Sequence, residues 1–133
     1  MAISALAKKL RLQGAQRALI LNGPEGYLEI LGEVPEQVEI EHQPSGEFDF
    51  AHLFVKDRKE LDQFIDQVLQ AIKYGAILWI SYPKGSSGVK TDLNRDSLWE
   101  AMLKKGIRPV TQVSIDKVWS AVRFRPPELV GKR

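Results

Sequence analysis

The chain has no cysteine. That excludes disulfides, thiolate zinc sites and cysteine nucleophiles, permits a reducing compartment, and leaves the protein no redox chemistry through thiols of its own. Charge of one sign is also missing in excess: 19 Lys plus Arg stand against 17 Asp plus Glu, a formal +2. A protein that coats nucleic acid needs far more, so nucleic acid is not an expected partner and any basic site must be local. No apolar run approaches the roughly twenty residues needed to cross a bilayer. The opening stretch "MAISALAKKLRLQG" lacks the uncharged centre of a secretory signal. The expectation is a cytoplasmic protein with no membrane partner. Histidine is scarce too: His42 and His52 fall in different segments, with no second histidine or carboxylate spaced to make a metal site.

What remains fits one α/β domain over residues 1–133, with 44% apolar residues to fill its core. Residues 1–11 place Ile3, Leu6 and Leu10 at helical spacing, as a short N-terminal helix or arm. "RALILN" has the continuous apolar centre of a buried strand and runs into the tight turn "GPEG". "VEIE" alternates like a strand with one wet face. "FDFAHLFV" and "AILWISY" suit strands covered on both sides. Between these two, Leu61, Phe64, Ile65, Val68, Leu69 and Ile72 form one helical stripe. Asp57 and Glu60 are expected to cap this helix and Gly75 to end it. A strand, a helix and a second buried strand imply a parallel crossover and hence a mostly parallel sheet.

A second helix is expected around Leu98, Trp99, Met102 and Leu103, with Ser97 and Glu100 as its capping pair and Gly106 as its stop. "VTQVSIDKVWSAVRFR" then reads as an antiparallel hairpin at a sheet edge, and residues 126–133 as a loose tail. In the last strand Trp119, Ala121, Arg123 and Arg125 share one face, while Ser120, Val122 and Phe124 share the other. Arg123 is expected either to stack on Trp119 and meet an anion or, by slight preference, to pair with Asp116 as a structural tie.

Open parallel sheets bind ligands beyond the carboxyl ends of their strands. Two loops lie there. "YPKGSSGVKTDLNRD" brings Lys84, Lys90 and Arg95 together with the hydroxyls of Ser86, Ser87 and Thr91 and the turn residue Gly88, just before a helix whose amino end favours an anion. With Arg123 these are the candidate anion ligands. The spacing is not that of a nucleotide-hydrolase phosphate loop, because only two residues separate Gly85 from Gly88 and Val89 separates Gly88 from Lys90. A plain turn with Asp92 or Asn94 capping the helix is the competing reading. The first loop, Asn22, Gly23, Glu25 and Gly26, occupies the place of a cofactor loop but lacks the G-x-G-x-x-G series. Glu41 stands eighteen positions after Gly23, near where an acid reaches a ribose in such folds; a solvated strand face is the commoner role of Glu39 and Glu41.

The segments "IKYGAILWISYPK" and "RALILNGPEGY" resemble parts of class I S-adenosylmethionine-dependent methyltransferases. The resemblance implies a shortened Rossmann-like, methyltransferase-like architecture. It also implies S-adenosylmethionine as cofactor, against which stands Asn22 where an acid and a glycine series belong. More closely, "YPKGSSGVKTDLNRDSLWE" and "VSIDKVWSAVRF" resemble a bacterial domain-of-unknown-function family across most of residues 12–125. That resemblance highlights Pro83, Lys84, Ser87, Gly88, Thr91, Asp92, Asp116, Trp119, Ser120 and Arg123. Together these observations point first to a non-catalytic domain that recognises an anionic small molecule. A small or vestigial S-adenosylmethionine-dependent transferase is the alternative. A structural protein that meets a partner or its own copy through the hairpin edge is the third reading.

Overall fold

Alternating and continuous apolar runs become six strands in the computed structural model, which describes residues 4–130. They are β1 (Arg17–Leu21), β2 (Glu39–Glu41), β3 (Phe48–Phe54), β4 (Ile72–Pro83), β5 (Arg108–Ser114) and β6 (Trp119–Arg125). They form one sheet in the order β2-β1-β3-β4-β6-β5. The β2/β1, β1/β3 and β3/β4 pairs are parallel, while β4/β6 and β5/β6 are antiparallel. The expected α/β class, the mostly parallel sheet and the C-terminal hairpin are therefore all present.

Strand periodicity sorts the core into two layers. Leu19, Leu53, Ile80 and Val122 pack beneath α3 (Arg58–Ala71) and α4 (Arg95–Lys104), against Leu61, Ile65, Leu98 and Met102. On the opposite face Ile20, Phe54, Trp79 and Ala121 pack beneath α1 (Ala5–Lys9) and α2 (Tyr27–Leu31). Burying one such side chain contributes roughly 1.5–3 kcal/mol, so both layers are needed to hold so small a sheet. Trp79 is fixed further by its indole N–H, which donates to the carbonyl of Leu10 at 2.9 Å. Among the described residues no helix is long and apolar enough to cross a membrane.

Several local expectations need correction. Gly75 does not end α3: the helix stops at Ala71 and the chain passes straight into β4 at Ile72, which pairs with Phe48, leaving Gly75 inside the strand at φ 78°. The β-branched Ile72, held by its strand partner, replaces a glycine stop. The amino end of α3 is capped as expected, with the Asp57 carboxylate accepting from the Glu60 N–H at 2.8 Å.

For α4 the cap is Asn94, whose side chain accepts from the Ser97 N–H at 2.8 Å while the Ser97 hydroxyl accepts from the Asn94 N–H at 2.9 Å. Ser97 is thus the third helical residue of a capping box, and the Ser97/Glu100 pairing fails. The turn "GPEG" continues unexpectedly into α2, entered through Gly26 at φ 82° and left through Gly32 at φ 73°. At the C-terminus Pro127–Leu129 forms a 3₁₀ turn, and the Tyr74 hydroxyl donates to Glu128. Ile3 and residues 131–133, which belong to the expected arm and tail, lie outside the described residues.

Candidate functional site

The carboxyl ends of the parallel strands carry two cavities, one on each face of the sheet. The first, about 470 Å³, lies where β1 turns into α2. Asn22, Gly23 and Gly26 of the first loop line it, with Ile20, Tyr27 and Glu29. Glu25, expected with them, does not. Asn22 is held at φ 60°, a left-handed conformation that Asn tolerates better than most residues. That conformation turns the chain sharply off β1. A Cβ added at Gly26 would meet nothing within 4 Å, whereas one at Gly23 would come within 3.2 Å of Ile20. Gly23 is a packing glycine, and Gly26 is needed for its positive φ.

Tyr27, which lines this cavity, is held from behind by a buried polar chain. Tyr27, only 2% exposed, places its hydroxyl 2.9 Å from Nδ1 of His52. Nε2 of His52 lies 2.6 Å from the Ser81 hydroxyl. His52 and Ser81 are both fully buried. Burial disfavours the charged imidazole and pulls the His52 pKa down to about 3, so the ring is neutral and donates from one nitrogen while accepting at the other. Burial likewise pushes the Tyr27 phenol well above its ordinary value. The chain runs from β4 through β3 to the first turn of α2, and His52 stacks on Phe54, with ring centroids 4.1 Å apart. Three neutral groups with no charged member form a clamp on the Tyr27 ring rather than a proton-transfer machine.

The wall contributed by β2 is the part that sequence reasoning missed. Glu41 turns away from the cavity to meet Arg17, with its carboxylate 2.7 Å from one guanidinium nitrogen and 2.9 Å from Nε. The next residue, His42, falls on the opposite face and lines the cavity. Its Nδ1 lies 3.0 Å from the carbonyl oxygen of Ile20. A carbonyl only accepts, so Nδ1 carries the proton, and in the neutral ring Nε2 is left as an acceptor. Period-two counting from the buried Val38 would have found this placement.

The second cavity, about 390 Å³, lies on the α4 side, beyond the end of β4. Of the residues expected there, Lys84, Ser86 and Arg95 line it, together with Asn94, Gln112 and Ser120. Ser87, Gly88, Lys90 and Thr91 are nearby in the chain but do not line it. Much of the loop is bound internally. The Lys84 ammonium donates to the Ser114 hydroxyl and the Asp116 carbonyl, both at 2.6 Å. The Ser87 hydroxyl donates to the Lys84 carbonyl at 2.7 Å, and the Thr91 hydroxyl accepts from the Leu93 N–H. Asp92 accepts from the Arg58 N–H at 2.8 Å, tying the loop to α3. Arg95 lies over the Trp99 ring, 5.2 Å from its centroid.

Arg123 is not brought to this loop. It sits in mid-β6, paired across the ladder with Trp79, on the α1 face. The expected Arg123–Asp116 tie is absent, because Asp116 instead accepts from the N–H groups of Val118 and Trp119, each at 2.8 Å, and closes the hairpin turn itself.

No family model matches the chain, and no curated protein matches it. The resemblance to the bacterial domain-of-unknown-function family therefore rests on its motifs alone. Solved structures do match. DhpI, solved with SAH, is 14% identical with a TM-score of 0.60, over 96% of this chain and 84% of that one. The N-methyltransferase NodS from Bradyrhizobium japonicum WM9 is 14% identical with a TM-score of 0.53, over 92% of this chain and 94% of that one. The mitomycin 7-O-methyltransferase MmcR gives 13% and 0.62, but this chain spans only 52% of it. At such identities the likeness is one of fold, and the fold is methyltransferase-like.

Proposed function

We propose that this chain is a small S-adenosylmethionine-dependent transferase whose cofactor lies in the cavity between the β1–α2 loop and His42. The observation that carries this reading is the coincidence of that cavity with the carboxyl ends of β1 and β2, where open α/β sheets take nucleosides. The neighbouring fold NodS has been solved with S-adenosyl-L-homocysteine. The donor set suits such a ligand. The free Nε2 of His42 can accept from a ribose hydroxyl, as the acid of dinucleotide-binding sheets does, while the Glu29 carboxylate offers a counter-charge to a cationic group. Ile20, Leu28 and the clamped Tyr27 ring supply apolar wall.

When bound, S-adenosylmethionine supplies an electrophilic methyl group; the residues of this chain hold and orient it and exclude water from one side. Isothermal titration calorimetry of the whole chain with S-adenosylmethionine and S-adenosyl-L-homocysteine tests the reading. Saturable heat with either supports it, and no heat with both at millimolar concentration overturns it.

A second reading concerns the loop from Lys84 to Arg95. The cavity that Lys84, Ser86 and Arg95 line favours an anionic small molecule there, on the far face of the sheet from the first cavity. The Lys84 ammonium already serves Ser114 and Asp116 at 2.6 Å, whereas Arg95 makes only an exposed pair with Asp96 at 3.4 Å, so Arg95 is the stronger ligand of the two. Loss of a phosphate or carboxylate binding signal in Arg95→Ala, with the fold intact, is the expected result; an unchanged signal removes the assignment.

A further inference from the structure

Tyr82 and Ser120 stand directly opposite one another across the β4/β6 ladder, and each is only 6% exposed. The side-chain nitrogen of Gln112, on β5, donates to both hydroxyls, to Tyr82 at 3.1 Å and to Ser120 at 2.7 Å. Each hydroxyl is the acceptor in its bond, so its own proton is left to donate. Among the described residues neither proton meets an acceptor. Buried donors without acceptors are rare and costly, and they call for a water or a ligand. Both hydroxyl residues line the cavity of about 390 Å³ beyond the end of β4, beside Lys84 and Arg95. A further hollow of about 290 Å³ adjoins this cavity at Arg95 and Gln112, which line both. Its other walls are Trp99 of α4 and Pro109, Val110 and Thr111 of β5. The Arg95 guanidinium lies over the Trp99 ring, 5.2 Å from its centroid. One cation thus stands where a donor-lined space meets a largely apolar one.

We propose that the two hollows form one site for an aromatic monocarboxylate, with Tyr82, Ser120 and Arg95 on its carboxylate and Trp99, Pro109 and Val110 against its ring. This rests on the second reading above, that the loop from Lys84 to Arg95 takes an anion, and gives that anion a chemical class and two further ligands. A carboxylate has two oxygens in one plane, enough to accept from two neighbouring hydroxyls and from a guanidinium fork. Charge favours a monoanion. The Lys84 ammonium is held by neutral acceptors, and Asp96 offsets part of the Arg95 charge from 3.4 Å. The remaining charge matches one carboxylate better than a phosphate ester, which carries roughly twice as much. A flat ring suits the neighbouring hollow, because an indole and a guanidinium both offer planar faces for stacking.

NMR titration of the isotope-labelled whole chain with phenylacetate, acetate, 2-phenylethanol and inorganic phosphate tests the proposal, followed at the Trp99 indole N–H resonance and at the backbone of residues 82–95. Phenylacetate should saturate and move both sets of signals. Acetate, which keeps the charge without the ring, should bind about tenfold or more weakly than phenylacetate. So should 2-phenylethanol, which keeps the ring without the charge. Tyr82→Phe and Ser120→Ala each remove one hydroxyl and should each weaken phenylacetate by about 3- to 10-fold. Ser120→Ala carries the test if Tyr82→Phe does not fold. If acetate or phosphate binds as tightly as phenylacetate and the signal is lost in Arg95→Ala, the anion site stands and the aromatic carboxylate is overturned. If phenylacetate keeps its full affinity in both hydroxyl variants, the role given to Tyr82 and Ser120 is overturned. If none of the four probes binds, the anion reading of the loop falls with it.

Discussion

The carboxylate of Glu41 is bonded to the guanidinium of Arg17, 2.7 Å away, along the α3 face of the sheet, and is thereby withdrawn from the cavity at the end of β1. The neighbouring His42 faces that cavity instead, pinned in one tautomer by the Ile20 carbonyl. In dinucleotide-binding sheets the acid near the end of the second strand holds the ribose, so position in sequence alone would have nominated Glu41. Geometry nominates His42.

This difference gives a clean pair of variants. His42→Ala should weaken binding of S-adenosyl-L-homocysteine by about 3- to 10-fold, the value of one net hydrogen bond. Glu41→Gln should change it by less than about twofold, since a half-exposed ion pair with Arg17 contributes about 0–1 kcal/mol to stability and nothing to the cavity. Calorimetric titration of both variants separates the two roles. A large loss in Glu41→Gln with an unaffected His42→Ala reverses the assignment.

The buried clamp of Tyr27, His52 and Ser81 has a pH signature. His52 has a folded pKa of about 3 and an unfolded value near its ordinary 6.5, so between these the unfolded chain binds the extra proton. Its contribution is whole above about pH 6.5 and is lost as pH falls towards 3, by up to about 1.4 kcal/mol for each pH unit. Urea unfolding from pH 7 to pH 4 should show this slope in the wild type. In His52→Leu the slope should be shallower by that amount, whatever the variant's stability at pH 7. Equal slopes would mean that the imidazole is not held neutral.

Tyr27→Phe removes the hydroxyl and leaves Nδ1 of a fully buried His52 without its partner. The expected cost is about 1–3 kcal/mol in unfolding free energy, read by denaturant titration. Nucleoside binding should survive in this variant, because the ring that lines the cavity is retained. Loss of binding at full stability would show that the hydroxyl itself meets the ligand.

The parts of the fold that were legible are those written in local periodicity. β1, β3 and α3 each bury a continuous run or stripe, and their patterns are unambiguous. By contrast α2 buries only Tyr27 and Leu31 and leaves Leu28 and Ile30 exposed, so its five residues carry no stripe to read. The end of α3 was misplaced because Gly75 looks like a helix stop, whereas pairing with Phe48, distant in sequence, fixes Ile72 as strand. Of the first cavity, Asn22, Gly23 and Gly26 were legible as a loop after a strand, but His42 was not, since its role depends on a bond to Ile20. The loop after β4 announced its cations and hydroxyls. The prior engagement of Lys84 with Ser114 and Asp116, and of the Asp92 carboxylate with the Arg58 N–H, arises from contacts about thirty residues away along the chain.

If the first cavity holds S-adenosylmethionine as proposed, charge distribution bears on which form of the cofactor it prefers. Residues 18–55, which supply its walls, hold eight carboxylates and no lysine or arginine, although the whole chain is formally +2. Glu41 is neutralised by Arg17, while Glu29 borders the cavity directly. A field of one sign attracts the opposite charge, and it does so less as salt screens it beyond about 8–10 Å. S-adenosylmethionine carries a sulfonium charge that S-adenosyl-L-homocysteine lacks. The methylated form should therefore bind more tightly, by about 2- to 5-fold at low ionic strength, taking the effect of one nearby carboxylate as about 0.5–1 kcal/mol. Raising the salt should narrow the gap, and Glu29→Gln should narrow it at low salt while leaving S-adenosyl-L-homocysteine affinity nearly unchanged. Parallel titrations at two salt concentrations measure both effects. A gap that persists unchanged in Glu29→Gln would mean that the preference comes from the shape of the cavity and not from its charge.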